Sequence, residues 1–261
     1  MMVLTQHAAG TFCWPELLTT DQDGARKFYG SLFGWTHTDT PMGPAGVYTI
    51  FHKHGKDCAA LASLNPEQKS KGVPPFWGAY VSVTSTDATA SKAKQLGGKL
   101  LMEPFDVIDK GRMALIQDPT GATFSLWQPK THIGAGVLDE PGALCWTELL
   151  TGDTEKAKTF YTQLIGWKAE PMPMPQGVYT VFKRADGVGA AGMMQLRDDM
   201  RGVPPNWLSY FQVEDAQATV KKAGEASAKT LVPPTPIPNV GTFAVLQDPK
   251  EAAFGILEPS R

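Results

Sequence analysis

Apolar side chains at Ala25, Phe28, Tyr29, Leu32 and Phe33 recur with the period of a helix, and Gly34 stands where a C-terminal glycine belongs. The stretch before them, residues 11–19, reads as a strand that ends in Thr20-Asp21, either of which can cap the helix N-terminus. Strand-like runs follow at 47–52 and 58–64, joined by a turn containing Gly55. The connector Gly72-Val73-Pro74-Pro75 excludes helix, because proline fixes its own φ and restricts the residue before it. A second unit then opens. It has a strand at 76–83, a helix at 87–96 stopped by Gly97-Gly98, and a short strand at 99–103. A hairpin of 113–117 and 123–128 closes it through Asp118-Pro119-Thr120-Gly121, all turn-forming residues.

The whole pattern then runs again. Trp14-Pro15-Glu16-Leu17-Leu18-Thr19 returns as Trp146-Thr147-Glu148-Leu149-Leu150-Thr151, and Phe28-Tyr29 as Phe160-Tyr161. Gly34-Trp35 returns as Gly166-Trp167, and Gly46-Val47-Tyr48-Thr49 as Gly177-Val178-Tyr179-Thr180. Gly202-Val203-Pro204-Pro205 and Gln247-Asp248-Pro249 complete the series, the latter matching Gln117-Asp118-Pro119 with Lys250-Glu251 in place of Thr120-Gly121, a change expected to alter the turn. The offset stays near 130 residues, too long for a solenoid repeat and right for a duplicated domain. Two domains are therefore expected, at 8–128 and 142–259, with a glycine-rich linker at 129–141 that lacks a helical period. The run Pro171-Met172-Pro173-Met174-Pro175 reads as an apolar loop, either a lid or an ordinary connector.

Composition narrows the function. Hydrophobic residues make up 42% of the 261, enough for two cores. A formal charge of −2 with both signs scattered advertises no polyanion-binding surface, so nucleic acid is not an expected partner. No apolar run is long enough for a membrane span and no export signal is visible, which makes a cytoplasmic protein the expectation. Cys13, Cys58 and Cys145 are odd in number and lack CxxC spacing, as fits free thiols in a reducing compartment.

The strand end Glu-Leu-Leu-Thr-Thr-Asp, the Phe-Tyr helix followed by Gly-Trp, and Asp-Pro-Thr-Gly before the last strand together resemble the vicinal oxygen chelate superfamily of glyoxalases, bleomycin-resistance proteins and dioxygenases. The similarity is greatest to its doubled, glyoxalase-like branch and covers nearly the whole chain. It implies an α+β fold of tandem glyoxalase-like domains, each made of two βαβββ units forming a curved, cup-shaped mixed sheet with helices outside. It also implies a divalent metal held in each cup. The ligand positions fall at Trp14 and Trp146 on the first strand, near Leu61 and Gly192 on the fourth, near Gly78 and Leu208 on the fifth, and at Ser125 and Gly255 on the last. None is His, Asp or Glu, and indole or aliphatic carbon offers no donor to a transition metal, so neither a metal nor another cofactor is expected. His52 and His54 share a strand face but have Lys183 and Ala185 as second-copy partners, and read as a solvated hairpin end.

Glu16 and Glu148 are the candidate catalytic residues. Each lies two positions after a Trp on the first strand, on the face that holds a metal ligand in the family's enzymes. A carboxylate there must be paired, hydrogen-bonded or protonated, and could serve as a general base or bind a cationic or donor-bearing aromatic ligand. Alternatively it pairs with Arg112 or a Trp N–H and only stabilises the fold. Candidate ligand-binding residues are Trp14, Tyr80, Arg112, Ser125 and Trp127 in the first copy and Trp146 and Tyr210 in the second. Trp77 and Trp207 are expected on the same inner sheet face as Tyr80 and Tyr210. Thr242 stands where the first copy has Arg112, so the two cups differ chemically. Three readings follow: a small-molecule-binding protein without the family's metal; a metal-free lyase of the lactoylglutathione lyase kind, isomerase or hydroxylase; and an interaction protein with filled cups. The expected partner is a small molecule, with no nucleic acid or membrane, and the state is monomer or homodimer.

Overall fold

The computed structural model describes residues 4–43, 46–174 and 177–260. The first copy contains β1 (Phe12–Thr19), α1 (Gln22–Phe33), β2 (Thr36–Pro41), β3 (Val47–Lys53), β4 (Lys56–Ser63), the single-turn α2 (Pro66–Ser70), β5 (Phe76–Ser82), α3 (Thr86–Gln95), β6 (Lys99–Val107), β7 (Gly111–Gln117) and β8 (Thr123–Pro129). The second contains β9 (Leu144–Thr151), α4 (Thr154–Leu164), β10 (Lys168–Met174), β11 (Gly177–Lys183), β12 (Gly189–Gln195), β13 (Asn206–Gln212), α5 (Ala216–Glu225), β14 (Lys229–Ile237), β15 (Gly241–Gln247) and β16 (Ala253–Pro259). Two βαβββ modules per copy are thus present. The strand orders are β2-β3-β4-β1-β5-β8-β7-β6 and β10-β11-β12-β9-β13-β16-β15-β14, two curved mixed sheets of eight strands with the same topology.

Local chemistry sets the elements. The Asp21 carboxylate, rather than Thr20, caps α1 by accepting from the Gly24 amide at 2.9 Å, and Asp153 does the same for α4 through Lys156 at 3.0 Å. Gly34 (φ +69°) then ends α1 in the left-handed region that costs a Cβ-bearing residue strain. β2 has no apolar alternation, every residue being exposed, and forms because its backbone pairs along its length with β3. The Pro171–Met174 run is not a loop: it lies in β10 at the sheet edge, where proline's missing N–H costs no ladder bond, with Met172 opposite Tyr179. Pro175 lies outside the described residues. The two Asp-Pro turns also share one backbone frame. Asp118 N–H donates to the Ala122 carbonyl at 2.8 Å and Asp248 N–H to that of Ala252 at 2.9 Å, with Glu251 at φ +76° in the place of Gly121 at φ +107°.

The chain condenses into two compact units, and each draws on both copies. One comprises residues 4–13, 79–134 and 146–208; the other comprises 14–78, 135–145 and 209–260. In the second of these, Phe28, Tyr29, Phe33, Trp35, Phe51 and Trp77 from the first copy pack with Phe211, Leu246, Phe254 and Ile256 from the second. In the other unit Tyr161, Trp167, Phe182 and Trp207 pack with Phe12 and Phe124. Each fully buried aromatic contributes about 1.5–3 kcal/mol of transfer free energy, and edge-to-face pairs such as Tyr161–Trp207 (5.2 Å, 84°) add to it.

Both cores contain a polar chain. Trp77 Nε1 donates to Tyr29 Oη (3.1 Å), which donates to Asp248 Oδ2 (2.9 Å). Trp207 Nε1 donates to Tyr161 Oη (2.9 Å), which donates to Asp118 Oδ2 (2.8 Å). These contacts overturn the expectation that Trp77 and Trp207 share an inner face with Tyr80 and Tyr210. An odd spacing of three along a strand puts them on the opposite face, against the helices.

Candidate functional site

The first strand of each copy carries Trp, then Glu two residues later, on one face. Trp14 Nε1 donates to Tyr48 Oη at 3.5 Å, and the Tyr48 hydroxyl is in turn hydrogen-bonded to the Glu16 carboxylate. The second copy repeats the chain more tightly: Trp146 Nε1 donates to Tyr179 Oη at 2.9 Å, and Tyr179 is hydrogen-bonded to Glu148. Both carboxylates are therefore hydrogen-bonded, one of the outcomes that burial demands. Glu16 is half-buried, whereas Glu148 is 8% exposed.

Tyr48 and Tyr179 are absent from the residues that the sequence singles out for a site. Their only signal is the repeated Gly-Val-Tyr-Thr, which patterning reads as a strand opening. Pairing in register brings each to its Glu: β3 runs beside β4, and β4 runs parallel to β1 with Ala60 opposite Glu16. In the second copy Gly192 is opposite Glu148. The register thus corrects the fourth-strand position from Leu61 to Ala60; Leu61 is fully buried in the helix-side core.

Burial raises the Tyr48 and Tyr179 phenols well above their ordinary value, and the neighbouring carboxylate adds to the rise. Tyr29 and Tyr161 are raised for the same reasons, with Asp248 and Asp118 as the neighbours. A phenol whose folded value exceeds its unfolded one lends stability that is complete below the unfolded value, about pH 10, and is lost as pH rises through the folded value. Four of the six tyrosines should therefore stay un-ionised in an alkaline absorbance titration until the fold opens. Reversible ionisation of all six near pH 10, with native circular dichroism retained, would contradict these environments.

The remaining candidates sit on the second modules. Tyr80 is opposite Ser125 and Tyr210 opposite Gly255 on parallel strand pairs. Tyr80 lies edge-on to Trp127 (6.3 Å, 77°), whose Nε1 donates to the His132 carbonyl at 2.9 Å. Arg112 is committed elsewhere. Its guanidinium makes a two-point contact with Asp87 (2.7 and 2.8 Å) and reaches Asp106 at 3.3 Å and the Pro104 carbonyl at 3.2 Å. His52 likewise is held between Asp57 (3.0 Å) and Thr38 (2.9 Å).

The residues at the family's ligand positions do not fit a divalent metal. Trp14, Ala60, Trp146 and Gly192 carry no metal donor, and Ser125 offers a neutral hydroxyl where Gly255 offers nothing. At Gly192 an added Cβ would lie 1.8 Å from Tyr179 Oη and 2.8 Å from Trp146 Nε1; at Gly255 it would lie 2.2 Å from the Tyr210 ring. Neighbouring aromatics occupy the volume a ligating side chain would need. No group of three His, Cys, Asp or Glu able to hold a metal gathers among the described residues. What the arrangement offers instead is an oriented carboxylate beside an indole: an acceptor for a ligand's N–H or O–H, or for a proton.

The sequence matches the family model for the Glyoxalase/Bleomycin resistance protein/Dioxygenase superfamily twice, over residues 7–126 and 143–256. It is 42% identical over 258 residues to the Mycobacterium tuberculosis protein named "Putative glyoxylase CFP32", covering 98% of this chain and 97% of that one. It is 33% identical to the anthracycline biosynthesis protein DauV of Streptomyces sp. strain C5, covering 98% and 95%. In fold it is similar to the Mn(II)-bound glyoxalase from Novosphingobium aromaticivorans, with a TM-score of 0.65 at 13% identity over 97% of this chain and 83% of the other. The 2,3-dioxygenase LapB from Pseudomonas sp. KL28 gives 0.61, also at 13% identity, over 95% and 93%. With both repeats matched and full-length relatives above 30% identity, the chain belongs to the glyoxalase/bleomycin resistance protein/dioxygenase superfamily.

Proposed function

We propose that this protein binds a small aromatic molecule bearing hydrogen-bond donors, at its Trp- and Glu-bearing first strands and without the family's metal. The observation that carries this is the Trp–Tyr–Glu chain, built twice from separate stretches of sequence. Indole supplies apolar contact, and the carboxylate accepts from a hydroxyl or ammonium. Glu16 is the better exposed of the two carboxylates, so ligand access is placed there first. Tyr80, Ser125 and Trp127 in one unit and Tyr210 in the other are proposed as separate contact surfaces; Arg112, held by Asp87 and Asp106, is proposed to hold its own corner of the fold. The relatives named for anthracycline biosynthesis suggest a polycyclic aromatic with hydroxyl and amino groups as the probe.

A second reading rests on the same geometry. A carboxylate oriented by a tyrosine hydroxyl is a proton acceptor, so Glu16 or Glu148 would act as the general base of a metal-free lyase, isomerase or hydroxylase. Calorimetric titration with a soluble anthracycline glycoside tests the first reading. Saturable binding is expected, weakened about ten- to hundredfold in Glu16→Gln, since charge-assisted hydrogen bonds are worth about 1.5–3 kcal/mol. No saturable binding, or unchanged affinity in Glu16→Gln, would overturn it. Consumption of the bound probe by the native protein and not by Glu16→Gln would favour the second reading.

A further inference from the structure

A second site lies in the unit formed by residues 4–13, 79–134 and 146–208, in a groove of about 480 Å³ between α4 and the Asp118–Gly121 turn. Leu96 and the buried Phe160 line it with Gln117, Gln163 and the buried Asp118, and the exposed Lys99 and Lys156 stand on the same lining. Neither ammonium group has a salt bridge or side-chain hydrogen bond among the described residues.

The internal repeat shows what is missing. Lys99 corresponds to Lys229: each pairs with the glutamine at the end of the following strand, Gln117 in one copy and Gln247 in the other. In the second copy Lys229 lies 4.0 Å from Glu251, and Lys250 reaches Asp21, the cap of α1, at 3.5 Å. In the first copy the residues at 250 and 251 are replaced by Thr120 and Gly121, so Lys99 has lost its carboxylate. Lys156 adds a further positive charge where α1 has Gly24. Lys99 therefore lacks the carboxylate that its counterpart Lys229 meets, beside a cavity of ligand size.

We propose that this groove is a binding site for a small organic carboxylate, its anionic group between Lys99 and Lys156 and its apolar body on Leu96 and Phe160. The carboxylate supplied from outside takes the part that Glu251 plays in the other copy. The site is independent of Glu16 and Glu148, and its failure leaves the reading of those residues untouched.

Benzoate, with uncharged benzyl alcohol as control, probes it in the full-length protein by heteronuclear NMR titration. Saturable shifts centred on the amides of 96–99, 117–121 and 156–163 are expected for benzoate and not for the alcohol, weakening as salt is raised. Lys99→Gln and Lys156→Gln, both exposed and neutral to the fold, should each weaken binding about tenfold. The double substitution Thr120→Lys/Gly121→Glu rebuilds the second copy's turn, whose backbone already accepts Glu251 at φ +76°, and should displace benzoate from within. Equal shifts with benzyl alcohol, shifts scattered over the surface, or lysine variants that bind as the native protein does would each overturn the proposal.

Discussion

Asp118→Ala is expected to lower stability by about 3–5 kcal/mol, the range reached when a buried hydrogen-bond network loses its shared acceptor. The carboxylate is 3% exposed and each oxygen has its own task. Oδ1 accepts from Thr120 N (2.7 Å), Thr120 Oγ1 (2.8 Å), Gly121 N (2.8 Å) and Ala122 N (3.1 Å), and so shapes the turn. Oδ2 accepts from the fully buried Tyr161 hydroxyl, which itself accepts from Trp207. Truncation strands the phenol and the Ala122 amide in a region that water does not reach. Asp118→Asn should cost about half as much: its remaining oxygen can keep the turn, while its NH₂ meets a phenol oxygen already served by an indole. At Asp248 the loss should also be smaller, because three donors rather than five depend on it. Urea midpoints for the three variants check the order; a loss below about 1 kcal/mol in Asp118→Ala would mean the turn holds without its carboxylate.

These two aspartates show how far the chain can be read unaided. The repeat, the helix periods and the turn residues are local features, so α1, α3, α4 and the Asp-Pro turns stand out in the sequence within a residue or two. Function inside those turns does not. Asp118 reads as a turn former, and its second role as acceptor for Tyr161 arises only because modules from different copies pack together. β2 was invisible for a related reason: its polar residues form a strand through backbone pairing, which leaves no hydrophobic signature. At the candidate site Glu16 and Glu148 were legible from their spacing after Trp, a property of strand pleat alone. Tyr48 and Tyr179 were not, since their placement depends on the register of two further strands. The difference between Leu61 and Ala60 is a one-residue slip, which in a strand exchanges the sheet's two faces.

Gly192→Ala should be the most damaging single-methyl addition to the candidate site. The new Cβ would stand 1.8 Å from Tyr179 Oη, far inside contact distance, on a β12 that is pinned to β9 and β11 and cannot retreat. Tyr179 must therefore leave, taking with it the bond from Trp146 and the bond to Glu148. Overpacking and the loss of a donor to a carboxylate 8% exposed together point to about 2–4 kcal/mol. The first copy supplies the control. Ala60, opposite Glu16, already has the methyl, and there the indole–phenol contact is 3.5 Å instead of 2.9 Å, so Ala60→Gly should be tolerated far better than its mirror. The displaced ring also gives a specific signature. Freed of its carboxylate, the Tyr179 phenol should ionise earlier in the alkaline titration, because both burial and the Glu148 charge that hold it high are relieved. If Gly192→Ala melts as the native protein does and Tyr179 remains un-ionised, then the tyrosine is not what fills the old ligand position. A side chain at 192 would then have room after all, and the metal-free reading of the second copy would rest on the missing donors at Trp146, Gly192 and Gly255 alone.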